Sequence, residues 1–130
     1  MKKNKCGVII NVLSYAAKQP SYSYGLYAAA KAALLSLTKS MAGEWAPYGI
    51  RVNAVSPGVT DTNMVAHVDF NKASQSIAQN RVAKPEEVAK AILFLASEDS
   101  QFIVGSNLEV DGGKMVIQNT DKAWSESGNY

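Results

Sequence analysis

Apolar positions along the chain fall into short strand-like blocks separated by longer helical ones. Gly7-Val8-Ile9-Ile10-Asn11-Val12-Leu13-Ser14 is a β-branched run with little alternation, the pattern of a parallel strand covered by helices on both faces. A polar, aromatic loop follows from Tyr15 to Gly25. The stretch from about Leu26 to Trp45 is rich in alanine and leucine and reads as a long helix, stopped by Pro47 and Gly49. Ile50-Arg51-Val52-Asn53-Ala54-Val55 reads as a second strand, ended by Ser56-Pro57-Gly58. Asp61 to Gln79 is polar and weakly periodic, with Met64, Val65, Val68, Phe70 and Ile77, and reads as one or two short helices over an opening. Pro85 stands where a helix starts, with Glu86 and Glu87 in the first turn, where acidic groups suit the dipole. Val88, Ala91, Ile92 and Leu95 recur at helical spacing until Ser97-Glu98-Asp99-Ser100 breaks the pattern. Asn107 to Val110 is a short third strand, closed by the turn Asp111-Gly112-Gly113, and residues 114–130 form a polar tail. Long helical crossovers between apolar strands predict an α/β fold with a parallel sheet and right-handed connections.

Composition narrows the class. The chain has 130 residues, 47% apolar and 18% charged, enough for one domain with a real core. Its net charge is +2, and the basic residues are scattered apart from Lys2, Lys3 and Lys5, which read as a solvated end rather than a nucleic-acid site. Cys6 is the one cysteine, so no internal disulfide is possible; it reads as a buried or terminal thiol, and no metal-ligand pattern is present. The run Val8 to Leu13, interrupted by Asn11, is too short for a signal core or a membrane span. A cytoplasmic protein with neither nucleic-acid nor membrane partners is expected.

The chemistry centres on Tyr27-Ala28-Ala29-Ala30-Lys31, where a tyrosine and a lysine four apart share one helical face. An ammonium beside a phenol favours the phenolate and lowers its pKa from about 10. Such a tyrosine can pass a proton to a carbonyl oxygen, or take one from an alcohol, near neutral pH. Ser14, at the end of the first strand, could hydrogen-bond the same oxygen, since side chains there face the ligand crevice of such sheets. With six tyrosines and eleven lysines in the chain, the spacing alone arises by chance roughly 0.5 times, and taken by itself the pair reads better as a surface tyrosine beside a surface lysine. His67, the one histidine, falls in the flap and reads as a surface residue ahead of a substrate contact. Tyr15, Tyr22 and Tyr24 read either as a substrate wall or as loop packing, and Trp124 either as an anchor on a neighbouring subunit or as part of a free tail.

Order and spacing together resemble the short-chain dehydrogenases/reductases. That family has a strand ending in Asn-x-Ser-Ser and Tyr-x-x-x-Lys thirteen residues later; here stand Asn11-Val12-Leu13-Ser14, Tyr27 and Lys31. The resemblance continues through Glu44, Ile50 to Gly58, Pro57-Gly58-Val59-Thr60-Asp61-Thr62, the Pro85-to-Ala89 segment and Gly105 to Gly113, and so spans residues 7–113. It implies a partial Rossmann-like, doubly wound parallel sheet, comprising the family's last three strands flanked by helices. It implies that Tyr27 is the general acid/base and that Lys31 is its electrostatic partner and a ligand for the nicotinamide ribose. It further implies that Ser14 orients the carbonyl and that Pro57, Gly58, Val59 and Thr62 hold the nicotinamide carboxamide. The implied activity is NAD(P)-dependent interconversion of an alcohol and a ketone by hydride transfer.

Two departures bear on that resemblance. Leu13 replaces the first serine, leaving Ser14 in place. The glycine-rich fingerprint is absent: the nine glycines nowhere form Gly-x-Gly-x-x-Gly, so adenosine and pyrophosphate have no cradle and NAD cannot be told from NADP. The chain is therefore expected to be a C-terminal catalytic half (residues 1–113) followed by a tail (residues 114–130), inactive alone. An unpaired edge at Val8 to Leu13 predicts a homo-oligomer or pairing with a complementing N-terminal half. The alternative is a non-catalytic assembly module with a vestigial site.

Overall fold

The computed structural model describes residues 1–116. Three strands, β1 (Gly7–Val12), β2 (Ile50–Pro57) and β3 (Asn107–Val110), form one parallel sheet in the order β1-β2-β3. Helix α1 (Gly25–Trp45) links β1 to β2; α2 (Phe70–Ser74) and α3 (Pro85–Ala96) lie between β2 and β3. The β-branched composition of β1 and β2 places side chains alternately on two covered faces. On one face Ile9, Ile50 and Val52 pack with Met41, Ala42 and Trp45 of α1. On the other, Arg51 reaches α3, donating to the carbonyls of Leu95 at 2.9 Å and Ser97 at 3.0 Å and to Ser100 Oγ at 3.0 Å. A guanidinium there neutralises the carbonyl end of α3, which has no intrahelical partners of its own. The fold is thus α/β and doubly wound, as expected.

The hand of the connections is not as expected. The chain crosses from β1 to β2 and from β2 to β3 in the same direction, yet α1 and α3 cover opposite faces. Two such crossovers have opposite hand, so they cannot both be right-handed. The steric preference for right-handed βαβ units acts on compact crossovers. The second one is not compact: residues 58–84 first run over the carboxyl ends of the strands before α3 begins.

α1 turns Ala28, Thr38 and Ala42 fully inward, at helical spacing. It ends where Gly49 takes a left-handed φ of 68°, and a Cβ there would lie 2.2 Å from the Lys5 carbonyl oxygen. α1 is tied to β1 by a buried polar link: Asn11 Nδ2 donates to Thr38 Oγ1 at 2.9 Å, and Thr38 Oγ1 donates to the Leu34 carbonyl at 2.7 Å. The amino end is not simply solvated. Lys2 Nζ stacks 5.6 Å from the Trp45 ring and 4.9 Å from that of Tyr48.

Candidate active site

The carboxyl ends of the three strands converge on one side of the sheet, and the predicted residues are arranged along it. Ser14 follows β1 and is buried; its backbone opens a single 3-10 turn, Tyr15–Ala17, and its Oγ accepts from the Ala16 amide at 3.1 Å. That bond uses a lone pair and leaves the hydroxyl proton free to donate. Tyr27 and Lys31 occupy the first turns of α1, with the Lys31 ammonium 5.6 Å from the Tyr27 ring centroid. Tyr24 packs edge-on against Tyr27, ring centroids 6.3 Å apart. Tyr27 is 39% exposed, and its hydroxyl makes no hydrogen bond among the described residues. Lys31 Nζ donates instead to the Val12 carbonyl at 2.9 Å, a contact that spacing could not reveal because it spans strand and helix.

The loop after β2 is built to lie close to β3. The Gly58 amide donates to the Val110 carbonyl at 3.0 Å, and a Cβ on Gly58 would sit 2.8 Å from Asp111 Cα. No side chain fits there without moving backbone. Thr60 Oγ1 donates back to the Gly58 carbonyl at 3.1 Å, shaping a tight turn through Val59. The amide of Ala83 donates to Val59 and that of Asp61 to Ala83, both at 2.9 Å, which closes the base of the excursion. Thr62 lies beyond that base and is exposed. The structure therefore brings Ser14, Tyr27 and Lys31 to the β1 side of the crevice and Pro57, Gly58, Val59 and Thr62 to the β2 side.

The excursion itself carries a 3-10 turn, Asn63–Val65, and α2, capped by Asp69, whose carboxylate accepts from Asn71 at 2.9 Å and Lys72 at 3.2 Å. It is held down at its far end. Gln79 donates to the Gly112 carbonyl at 3.1 Å, and Lys114 Nζ donates to Ser76 Oγ at 2.5 Å while lying 5.9 Å from the Tyr15 ring. Lys114, expected in a polar tail, thus clips the flap to the loop beside Ser14. Trp124 lies outside the described residues. Lys18 of the same loop pairs with Glu109 of β3. His67 and Cys6 are exposed. Among the described residues no His/Cys/Asp/Glu cluster could hold a metal, and no helix is long and apolar enough to cross a membrane.

A cavity of about 330 Å³ lies beside this region, lined by Arg81, Glu87, Glu109 and Asp111 among others, but not by Ser14, Tyr27 or Lys31. Its charges are already paired. Arg81 grips Glu87 through two bonds of 2.8 and 2.6 Å, and Asp111 accepts from the amides of Gly113 and Met115, each at 2.9 Å. The Arg81 hydrogen bonds, helped by the Lys84 amide, hold the Glu87 carboxyl at about 2. The Ser14–Tyr27–Lys31 ledge is open rather than enclosed because, among the described residues, β1 has no strand on its outer side.

Residues 1–114 match the family model described as enoyl-(acyl carrier protein) reductase. The chain belongs to the short-chain dehydrogenase/reductase family. The cis-4-hydroxycyclohexanecarboxylate dehydrogenase of Sinomonas cyclohexanicum is 46% identical over 114 residues, covering 85% of this chain and 46% of that one. The 3-oxoacyl-[acyl-carrier-protein] reductase of Vibrio cholerae is 39% identical over 120 residues, covering 90% and 49%. The solved structure of ElxO with NADP bound superposes with a TM-score of 0.84 at 34% identity, covering 90% of this chain and 50% of that one. The chain thus spans about half the length of these two curated relatives. Its sheet corresponds to part of this short-chain dehydrogenase/reductase fold.

Proposed function

We propose that this chain is the catalytic half of an NAD(P)-dependent oxidoreductase interconverting an alcohol and a carbonyl, working when joined by a half that carries the phosphate-binding glycines. The observation that carries this is the meeting of the Tyr27 ring and the Lys31 ammonium, 5.6 Å apart, beside the strand end that bears Ser14. A nicotinamide dinucleotide, when bound, supplies or accepts the hydride. In the reductive direction Ser14 Oγ donates a hydrogen bond to the substrate carbonyl oxygen. Tyr27 gives that oxygen its proton as the carbon receives the hydride, and recovers one from solvent. Lys31 stabilises the phenolate left behind.

The residues present suit the nicotinamide end. Gly58, with no space for a Cβ, keeps the Pro57–Thr62 turn flat against β3, and the exposed Thr62 and the half-buried Lys31 offer hydrogen-bonding groups. For the phosphates the sequence offers no glycine-rich turn, so binding energy for that part has to come from elsewhere. The two relatives' printed substrates share a secondary alcohol or ketone, and a small molecule of that class is the substrate we assign.

The test is titration with NADH and NADPH up to millimolar concentration, on the chain alone and fused behind the amino-terminal half of a full-length relative, followed by turnover of a generic ketone. The fused form binds cofactor and transfers hydride. Tyr27→Phe keeps binding and loses turnover. A folded fusion that binds neither cofactor overturns the proposal in favour of a second reading, an assembly module with a vestigial site. That reading draws on Lys31 being held by the Val12 carbonyl and on exposed Leu26 (91%) and Leu37 along α1.

A further inference from the structure

The backbone around Lys114 is built to bring that side chain to the flap. It follows two consecutive left-handed glycines, Gly112 at φ 63° and Gly113 at φ 84°. Both press against the flap: a Cβ on Gly112 would lie 2.9 Å from Ile77 Cγ2, and one on Gly113 would lie 2.7 Å from Ala78 Cβ. The Lys114 amide then closes the turn on the Asp111 carbonyl at 3.2 Å. From there the side chain runs between the flap and the loop that carries Ser14. Its Nζ donates to Ser76 Oγ at 2.5 Å and lies 5.9 Å from the Tyr15 ring centroid. Tyr15 directly follows Ser14, and its hydroxyl is tied to Ser21 Oγ at 3.1 Å. The ring beneath the ammonium is thus fixed next to the residue assigned to the carbonyl.

The charge placed there has no counter-charge. Lys114 is half-buried, and the ion pairs among the described residues are Lys18–Glu109 and Arg81–Glu87, neither of which includes it. Asp111, three residues away, has its two oxygens bonded to the Gly113 and Met115 amides. Ser76 donates its own proton to the Ala73 carbonyl at 2.9 Å, so it meets Lys114 as an acceptor alone. An ammonium has three donors; here one is used by Ser76 and one side rests near an aromatic face, which leaves donor capacity and a full positive charge. Partly desolvating a cation without a counter-ion is unfavourable, and a bound anion offsets that cost. Fastening a flap to a hydroxyl would need only a neutral donor. The cation stands between the flap and the Ser14 loop, whereas Tyr27 stands on α1, so an anion at Lys114 and a carbonyl oxygen at Ser14 and Tyr27 belong to separate ends of one molecule. We propose that the carbonyl substrate carries a carboxylate remote from its reacting carbon, held by Lys114 while Ser14 and Tyr27 hold the carbonyl oxygen. This rests on the function proposed above and narrows its substrates to oxo acids and the matching hydroxy acids.

Levulinate, its methyl ester and butyrate separate the charge from the ketone. In the isolated chain with isotope-labelled lysine, levulinate shifts the NMR signal of the Lys114 ε-carbon, assigned by its absence in Lys114→Met. It binds about tenfold more tightly than the ester, the size of one charge-assisted hydrogen bond at a half-buried site, and butyrate, lacking the ketone, binds more weakly than levulinate. Lys114→Met brings levulinate down to its ester, and Lys114→Arg, which keeps the charge, keeps the preference. Ser76→Ala loosens the flap but leaves the ammonium, so the preference survives; its loss there as fully as in Lys114→Met overturns the proposal and leaves Lys114 a clip. Equal binding of acid and ester in the parent overturns it, as does butyrate binding as tightly as levulinate. Absence of any shift with levulinate overturns it as well, and a shift with NADPH alone makes the anion a phosphate of the cofactor. The fused form separates this inference from the function on which it rests. Reduction of acid and ester with the same KM upholds the function and overturns the substrate class. Preference for the acid in the isolated chain, with hydride transfer to neither compound in the folded fusion, upholds the carboxylate site and overturns the function.

Discussion

Replacing Thr38 with valine tests how the site is held in register. Thr38 is fully buried in the middle of α1, and its hydroxyl does two things: it donates to the Leu34 carbonyl and accepts from Asn11 Nδ2. Valine fills almost the same volume, so packing changes little, but the amide of Asn11 loses its partner. A half-buried donor left without a partner costs about 1–3 kcal/mol, a change of roughly 5- to 150-fold in the folding equilibrium. With a slope of about 1–3 kcal/mol per molar for a chain of this size, the urea midpoint falls by about 1 M with the slope unchanged. Asn11→Val behaves differently. Thr38 then still donates to Leu34 and leaves no orphaned donor, so the loss stays under about 1 kcal/mol. The double variant costs less than the sum of the two, because removing both partners removes the orphan. Equal losses for the two single variants, or additivity in the double, would show that water satisfies Asn11 and that this bond does not fix α1, and with it Tyr27 and Lys31, against the end of β1.

Three further outcomes follow from other contacts. Glu87 has its carboxyl lowered from 4.5 to about 2 by Arg81 and the Lys84 amide, so the folded chain sheds a proton the unfolded one would hold; its contribution is complete above about pH 4.5 and lost as pH falls toward 2. Glu87→Gln therefore lowers Tm at neutral pH and converges on the parent near pH 2, followed by circular dichroism; a constant difference across that window refutes the assignment. Gly58→Ala puts a methyl 2.8 Å from Asp111 Cα, costing about 1–3 kcal/mol, with NMR shifts concentrated at residues 58–62 and 110–112; a loss below about 0.5 kcal/mol would mean the two segments part freely. Lys114→Met removes the bond to Ser76 and speeds limited proteolysis within residues 61–80 several-fold, while Ser76→Ala does the same; no change in either would show that the glycine contacts alone hold the flap.

Much of this architecture was legible because local signals and packing agree. Asn107–Val110 appears with the expected bounds, α1 begins one residue earlier at Gly25, and β2 runs on to Pro57. Pro57 extends the strand because its missing amide sits at the strand's end, where the Leu13 amide has already taken the last carbonyl bond. The flap resolves into a 3-10 turn and one five-residue helix, as weak periodicity allows. Illegible features were those joining distant segments. The opposite hand of the second crossover depends on where residues 58–84 travel, and no pattern of apolar positions encodes that path. Lys2 on Trp45, Lys114 on Ser76, Arg51 on the end of α3 and Lys31 on Val12 all use long basic side chains whose reach spans several candidate partners.

The two sides of the crevice differ in completeness. On the β2–β3 side the Pro57–Thr62 turn is locked by the Gly58–Val110 bond, the bridge to Ala83 and the absence of space at Gly58. The flap is fastened over it by Gln79 and Lys114. Under the function proposed above, the groups assigned to the nicotinamide and the substrate are therefore organised within this chain. On the β1 side the ledge ends at an open edge, and in doubly wound sheets the dinucleotide lies across strand ends toward the point where strand order reverses. No reversal occurs among β1, β2 and β3. Lys31, proposed above to stabilise the phenolate, rests on the Val12 carbonyl at that edge.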